Sequence, residues 1–399
     1  MDMKQDEITT MHDLCIDKTQ LMKHVSEAAT ELPVSIIIPM LYNEIKSEAL
    51  ENILKHLNKC TYLKEVIIPL AANTEEEFNH VKRFFSKLTI PKLIIWCNGP
   101  KITNLLTQLK NQGLDLTSTS GKGRDVWIAL GIASIESYGI AIHDADIQSY
   151  DESLPTKLLY PLLEPELDFK FNKGYYARVS NDKTAMYGRV FRLFLHPLLR
   201  SLIDVLHNEP NFIRFLRAFR YPISGEFALT SDLARDLDIP AGWGVEIGVM
   251  AEIYRNIATK RVCQIDLGFY EHKHQEIGNT STGLVKMSGD IFKSLLRVLI
   301  EEDHIDVTRS FLLSLRVLYY KNAQSCIKKY HADAHVNGIT YDRHLEESMV
   351  EQFCNELMTA GNNYTLEPMY TRLPDWLRTM SAKRRIREEL LEIVVEENK

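Results

Sequence analysis

Cysteine is scarce in this chain and carries no pattern. The six residues Cys15, Cys60, Cys97, Cys263, Cys326 and Cys354 are scattered, with no Cys-x-x-Cys pair and no zinc-ligand spacing. That excludes a disulfide scaffold and a structural zinc site, and it suits reduced thiols in a cytoplasmic protein. No run of about 18 apolar residues occurs, so no transmembrane helix and no membrane partner are expected. The start, Met1-Asp-Met-Lys-Gln-Asp-Glu7, lacks the basic region and apolar core of a signal peptide. A basic excess is also missing. The 47 Lys and Arg against 54 Asp and Glu leave a net charge of -7, which argues against a general nucleic-acid binder. It leaves room for a local basic pocket holding an anionic substrate. No internal repeat and no low-complexity tract is found.

What is there is ordinary globular material, 45% hydrophobic and 25% charged over 399 residues, enough for one large domain or two modest ones. Val34-Ser-Ile-Ile-Ile-Pro39 reads as a buried strand and its stop. Glu48 to Leu57 has helical spacing. Glu65 to Ile68 reads as a short strand, Thr74 to Leu88 as a helix with Thr74 as N-cap, and Leu93 to Cys97 as a third strand. Asn104 to Lys110 and Gly123 to Ser137 read as helices, and Gly139 to His143 as a fourth strand. Strand alternating with helix implies parallel strands with covering helices, a Rossmann-like α/β half. Ligands gather at the carboxyl ends of such strands, where Pro39, Asn98 and Asp144 fall. Residues 150–275 look mixed, with another strand at Cys263 to Gly268. Long amphipathic helices follow over 284–356 and near 383–396. The first 32 residues are polar, with helical character near 10–30, and read as an arm or cap.

The chemistry centres on Asp144-Ala145-Asp146, at the end of the fourth strand. Two acids one residue apart can face one hard divalent cation, and Mg²⁺ takes one or two carboxylates plus the phosphates of its substrate. A solvated turn is the plainer reading of that triplet alone. Gly121-Lys122-Gly123 offers close backbone approach and a point charge for a phosphate. It is no Walker loop, since the spacing is wrong and no Ser or Thr follows Lys122. Asn43 and Glu44 can meet a nucleotide base or serve as a helix-start cap. Lys170 to Arg178 and Tyr187-Gly188-Arg189-Val190 form a basic, glycine-bearing cluster, with Arg189 suited to a carboxylate or phosphate. Glu226 and Glu246 sit in glycine turns and can hold sugar hydroxyls. His272 and His274 share one face of an extended segment.

In this order, these segments resemble the retaining GT-A glycosyltransferases that make glucosyl-3-phosphoglycerate, a family that also holds the mannosyl-3-phosphoglycerate synthases. The match spans about residues 33–285 and rests on Gly-Lys-Gly, Asp-x-Asp, Gly-Arg-Val, Pro222-Ile-Ser-Gly-Glu226, Gly242-Trp-Gly-Val-Glu-Ile-Gly248 and a late Glu-His. The resemblance implies a GT-A nucleotide-diphospho-sugar transferase fold with a helical C-terminal extension. It implies an arm over 1–32, a nucleotide-sugar half over 33–150, an acceptor half over 151–283 and helices over 284–399. Asp146 and His272, with Asp144, would ligand Mg²⁺ or Mn²⁺. Pro39, Asn43, Glu44, Lys122, Asp144, Ala145, Asp146 and Glu246 would line the donor, and Gly188, Arg189, Val190 and His274 the acceptor, 3-phosphoglycerate. Asp146, Glu246 and Arg189 would carry catalysis. The C-terminal helices imply a homodimer.

Four departures from the family pattern stand out. Pro39-Met-Leu-Tyr-Asn-Glu44 has one residue more than usual. Pro69-Leu-Ala-Ala-Asn-Thr74 replaces an acidic, hydroxyl-rich turn, which leaves UDP against GDP open. Phe191 stands for a hydroxyl residue and His274 for an amide, which leaves the acceptor open. Glucose against mannose is likewise open, so a mannosyl-3-phosphoglycerate synthase using GDP-mannose is the alternative. A nucleotidyltransferase would need a glycine-rich basic signature near its start, which is missing. A non-catalytic NDP-sugar sensor would not need the acid pair.

Overall fold

The computed structural model describes residues 3–117, 119–180, 182–242, 244–271, 278, 282–366 and 372–399. Its strands are β1 Thr9–Met11, β2 Val34–Ile37, β3 Met40–Leu41, β4 Leu63–Ala71, β5 Lys92–Trp96, β6 Gly139–Ile142, β7 Phe171–Arg178, β8 Phe227–Thr230, β9 Ile239–Pro240, β10 Val262–Tyr270 and β11 Arg372–Leu373. One large sheet runs β1-β10-β7-β8-β6-β2-β4-β3, with β5 also on β4, and β9 pairs with β11 separately. The strands β2, β4, β5 and β6 pair in parallel, as their alternation with helices implies. Strand β8 is antiparallel to both β6 and β7. That inversion places the start of β8 at the carboxyl end of β6.

Among the described residues the helices are α1 Lys18–Ala28, α2 Glu48–Leu57, α3 Glu75–Phe85, α4 Pro100–Asn111, α5 Lys122–Ala133, α6 Ser153–Leu163, α7 His196–Leu206, α8 Asn211–Ala218, α9 Ser231–Asp236, α10 Val245–Asn256, α11 Gly283–Asp303, α12 Arg309–Val336, α13 Arg343–Leu366, α14 Trp376–Ala382 and α15 Ile386–Asn398. A π-helical turn, Val190–Leu195, leads into α7. Helices cover both faces of the sheet, so successive residues of one strand enter opposite cores. Ile36 and Ile38 pack into one core and Ile37 into the other. This two-sided burial is why the central strands read as continuous apolar runs rather than alternating ones.

Several elements run beyond their local pattern. Strand β4 continues through Pro69 to Ala71, because β5 and β3 pair with that stretch. Residues 1–32 supply helix α1 and also β1, which extends the sheet beside β10. The last helix closes the far edge. Asn398 receives the Ile94 N–H at 3.1 Å and donates to the Ile94 carbonyl at 2.8 Å, which blunts an otherwise open strand. Trp376 stacks on Trp127 with ring centroids 4.0 Å apart, tying α14 to α5.

Candidate active site

The acid pair is presented by strand register. Ile142 pairs with Phe227, so two residues further out Asp144 lies opposite Gly225. A side chain at 225 is excluded there, since a Cβ would fall 2.6 Å from Asp144 Oδ2. Asp144 is half-buried and accepts from the Lys122 ammonium at 2.7 Å, which also donates to Glu246 Oε1 at 3.1 Å. Burial opposes the charge of Lys122, but the two carboxylates outweigh it and hold the ammonium well above the ordinary lysine range. Asp146 shows the opposite balance. Burial first, then the charges of Asp144, Glu44 and Glu226, push its carboxyl far above the usual range.

Gly121-Lys122-Gly123 does two jobs. Gly121 sits at φ +123, and a Cβ on Gly123 would meet the Pro240 carbonyl oxygen at 1.8 Å. Close packing of α5 on the 240–241 backbone therefore needs a glycine. It also aims Lys122, the first residue of α5, into the cleft. Gly248 lets α10 approach Pro240 in the same way, with a Cβ clash at 2.1 Å, and so seats Glu246 in the first turn of α10. Gly123→Ala is expected to cost on the order of 1–3 kcal/mol of stability by forcing that backbone apart. Urea denaturation measures it, and an unchanged midpoint would contradict the packing role.

The same cleft is lined by the Tyr187–Val190 turn. Gly188 holds φ +73, favourable only for glycine, and Arg189 and Val190 begin the π-turn into α7. Unspent backbone N–H groups at such a helix start favour anions. Burial, then the neighbouring Arg192, press against the charge of Arg189, which an anion in the cleft would relieve. Arg192 anchors the turn. It forms a bidentate pair with Glu346 of α13, at 2.7 and 3.2 Å, and donates to the Tyr187 carbonyl at 2.7 Å. Both members of the pair are buried. Glu346→Ala would strand a buried guanidinium, so a loss of about 3–5 kcal/mol is expected by chemical denaturation. A loss below about 1 kcal/mol would mean that the pair behaves like an exposed one.

One cleft is lined by Lys122, Asp144, Asp146, Gly188, Arg189, Val190 and Glu246 together. Tyr176, Arg178, Tyr187, Tyr221, Ile223, Gly225, Leu284 and Met287 complete it. Of the cations in the run 170–178, only Arg178 reaches the cleft, beside Tyr176 of the same strand. Lys170 pairs with Asp232, and Lys173 is buried, donating to the Ser224 carbonyl at 2.7 Å. Pro39, Asn43, Glu44 and Ala145 do not line the cleft. Asn43 and Glu44 sit on a 3-10 turn, Tyr42–Lys46, after β2, and Ala145 is buried in the core. Glu226 is not among the residues lining this cleft. It is fully buried, and its two oxygens accept the hydroxyls of Tyr176 and Tyr270. His272 and His274 lie outside the described residues. Tyr221, Leu284 and Met287 were not legible beforehand, because an aromatic in a loop and apolar residues at a helix start look like core.

Among the described residues no three His, Cys, Asp or Glu side chains form a closed metal cage. What converges instead is an open set of hard oxygen donors around Asp144 and Asp146. One oxygen of the nearby Glu44 carboxylate is buried with no hydrogen-bond partner. That chemistry fits a cation such as Mg²⁺ or Mn²⁺ whose shell is completed by substrate phosphates, and it does not fit a thiolate or zinc-type site.

No protein-family model matches the chain. It is 50% identical over 398 residues to the glucosyl-3-phosphoglycerate synthase of Methanococcoides burtonii, covering 99% of this chain and 98% of that one. It is 39% identical over 368 residues to the enzyme of the same name from Persephonella marina, covering 91% and 90%. Among solved structures, mannosyl-3-phosphoglycerate synthase from Rubrobacter xylanophilus superposes with a TM-score of 0.54 at 21% identity, over 75% of this chain and 83% of that one. Glucosyl-3-phosphoglycerate synthase from Mycobacterium tuberculosis, in complex with Mg²⁺ and UDP, gives 0.53 at 19%, over 75% and 88%. The structural likeness establishes the GT-A fold, and the two full-length sequence relatives establish that the chain belongs to the glucosyl-3-phosphoglycerate synthase family of glycosyltransferases.

Proposed function

We propose that this enzyme moves glucose from an NDP-glucose to 3-phosphoglycerate with retention at the anomeric carbon. The observation that carries the reading is the single cleft in which Lys122 bridges Asp144 and Glu246 and which the Gly188-Arg189-Val190 turn also lines. Related structures support it. The M. tuberculosis enzyme has been crystallised with Mn²⁺, UDP-glucose and phosphoglyceric acid together.

A divalent cation held by Asp146 and Asp144, with His272, would neutralise the leaving diphosphate as a Lewis acid. Lys122 places a second positive charge at the same phosphates, fixed before the reaction by its two carboxylate partners. Glu246 accepts hydrogen bonds from the donor sugar's hydroxyls. Pro39, Asn43 and Glu44, which follow β2 and lie outside the lined cleft, would meet the base, and Ala145, between the two acids, would adjoin the donor. Arg189, with the backbone of Gly188 and Val190, would grip the acceptor's anionic group, and His274 is assigned to that group from the sequence alone. No side chain needs to act as nucleophile. The leaving phosphate oxygen takes the acceptor's proton as the new bond forms on the same face.

The segment Pro69–Thr74, the end of β4 and the residues after it, lacks an acid that would engage one particular base. Initial rates with UDP-glucose, GDP-glucose and GDP-mannose at equal concentration decide the donor. A clear preference for either glucose nucleotide supports the reading, and a preference for GDP-mannose moves it to mannosyl transfer. Leu313, Val317 and Tyr320 form an exposed apolar stripe at i, i+4, i+7 on α12, which supports a homodimer testable by light scattering. All six cysteines are free, which suits the reducing cytoplasm.

A further inference from the structure

We propose that a second chamber, behind the acceptor turn, binds a phosphorylated hexose at a site separate from the acceptor. The inference goes beyond the transferase reading and does not depend on it. The chamber has a volume of about 550 Å³ and shares Tyr176, Arg178, Tyr187, Gly188 and Tyr221 with the active-site cleft. None of Lys122, Asp144, Asp146, Arg189 or Glu246 lines it. Its outer wall is α12, through Tyr330, Asp333 and Asn337.

The charge of this chamber is unusual for a chain of net charge -7. Arg178, Lys183 and Arg220 all line it, and among the described residues none of the three makes an ion pair with a carboxylate. The guanidinium of Arg178 donates to the Tyr221 hydroxyl at 3.0 Å. The Lys183 ammonium lies 4.8 Å over the Phe269 ring. A fourth cation, Arg192, is already neutralised by Glu346. The one acid in the lining, Asp333, accepts from Asn337 at 3.1 Å. Three cations facing one acid make an anion site.

The rest of the lining sets the size and the second chemical feature. Phe269 is 61% exposed, an uncommon state for a large apolar ring. Tyr221, Phe191 and Tyr330 add further rings to the lining. The volume falls in the range of small-molecule sites, roughly 300–1,000 Å³, and is far more than a bare inorganic anion fills. Aromatic faces beside unpaired cations suit a molecule with a phosphate at one end and the C–H face of a sugar ring at the other.

The test is calorimetric titration of the full chain with glucose 6-phosphate, and separately with inorganic phosphate. Glucose 6-phosphate is expected to bind once per chain, and Arg189→Ala should leave that binding intact. Arg220→Ala and Lys183→Asn should each weaken it by about tenfold or more, the value of one charge-assisted hydrogen bond. Asparagine is chosen at 183 because Lys183 holds φ +57. Phe269→Ala should weaken glucose 6-phosphate but not inorganic phosphate. Absence of binding at millimolar ligand would overturn the proposal. So would binding that Arg189→Ala abolishes and Arg220→Ala spares, because the anion would then sit in the acceptor cleft. Neither outcome touches transfer to 3-phosphoglycerate, which is read by product formation.

Discussion

Asp146→Ala should lower kcat by on the order of a thousandfold or more while leaving the fold intact. Asp146 is the acid most compromised by its surroundings. Burial and three neighbouring carboxylates destabilise its charge. A group kept in such a place is of little use to the cation-free fold, so its removal should not lower, and should slightly raise, the unfolding midpoint without metal. Its value lies in the bound state, where a cation offsets the repulsion. The variant should therefore also lose the thermal stabilisation that Mn²⁺ plus nucleotide gives the parent protein. Full activity in a folded variant would remove the acid pair from the mechanism. A large fall in stability would instead assign Asp146 a structural role.

Arg189→Ala should raise the acceptor KM by about tenfold to a hundredfold and change the donor KM little. The estimate follows from losing one charge-assisted contact of about 1.5–3 kcal/mol. The asymmetry rests on geometry. Arg189 lines the cleft from an element other than those of Lys122 and Asp144, on a turn fixed by Arg192, Glu346 and the Tyr187 carbonyl. Equal effects on both substrates would mean that the turn shapes the whole cleft. Glu346→Ala is a useful contrast, because it loosens the same turn from behind and should also reduce stability.

Much of this site could be read from the chain because its residues lie where local pattern changes. The apolar run of β6 stops at His143, and the acids follow at once. Gly121 and Gly123 flank one lysine just before a helix, and the turn at Gly188 stands ahead of another. What the sequence could not give is pairing across long separations. The antiparallel entry of β8 makes Gly225 the neighbour of Asp144, and no local feature of residues 220–230 announces it. Strand β1 joins β10 from more than two hundred residues away. Glu346 looks like a solvated helix residue until Arg192 is placed against it. Glu226 is a related case. A glycine turn suggested a ligand-facing acid, yet Tyr176 and Tyr270 enclose it from two other strands.

The most direct measurement combines donor, acceptor and cation in one experiment. Purified protein is incubated with Mg²⁺ or Mn²⁺ and UDP- or GDP-glucose, with and without 3-phosphoglycerate, and the product is identified by mass. The account predicts a phosphorylated hexosyl-glycerate that forms only with 3-phosphoglycerate and disappears when EDTA is added. Formation of that product undiminished by EDTA, or consumption of donor without any such product, would contradict it.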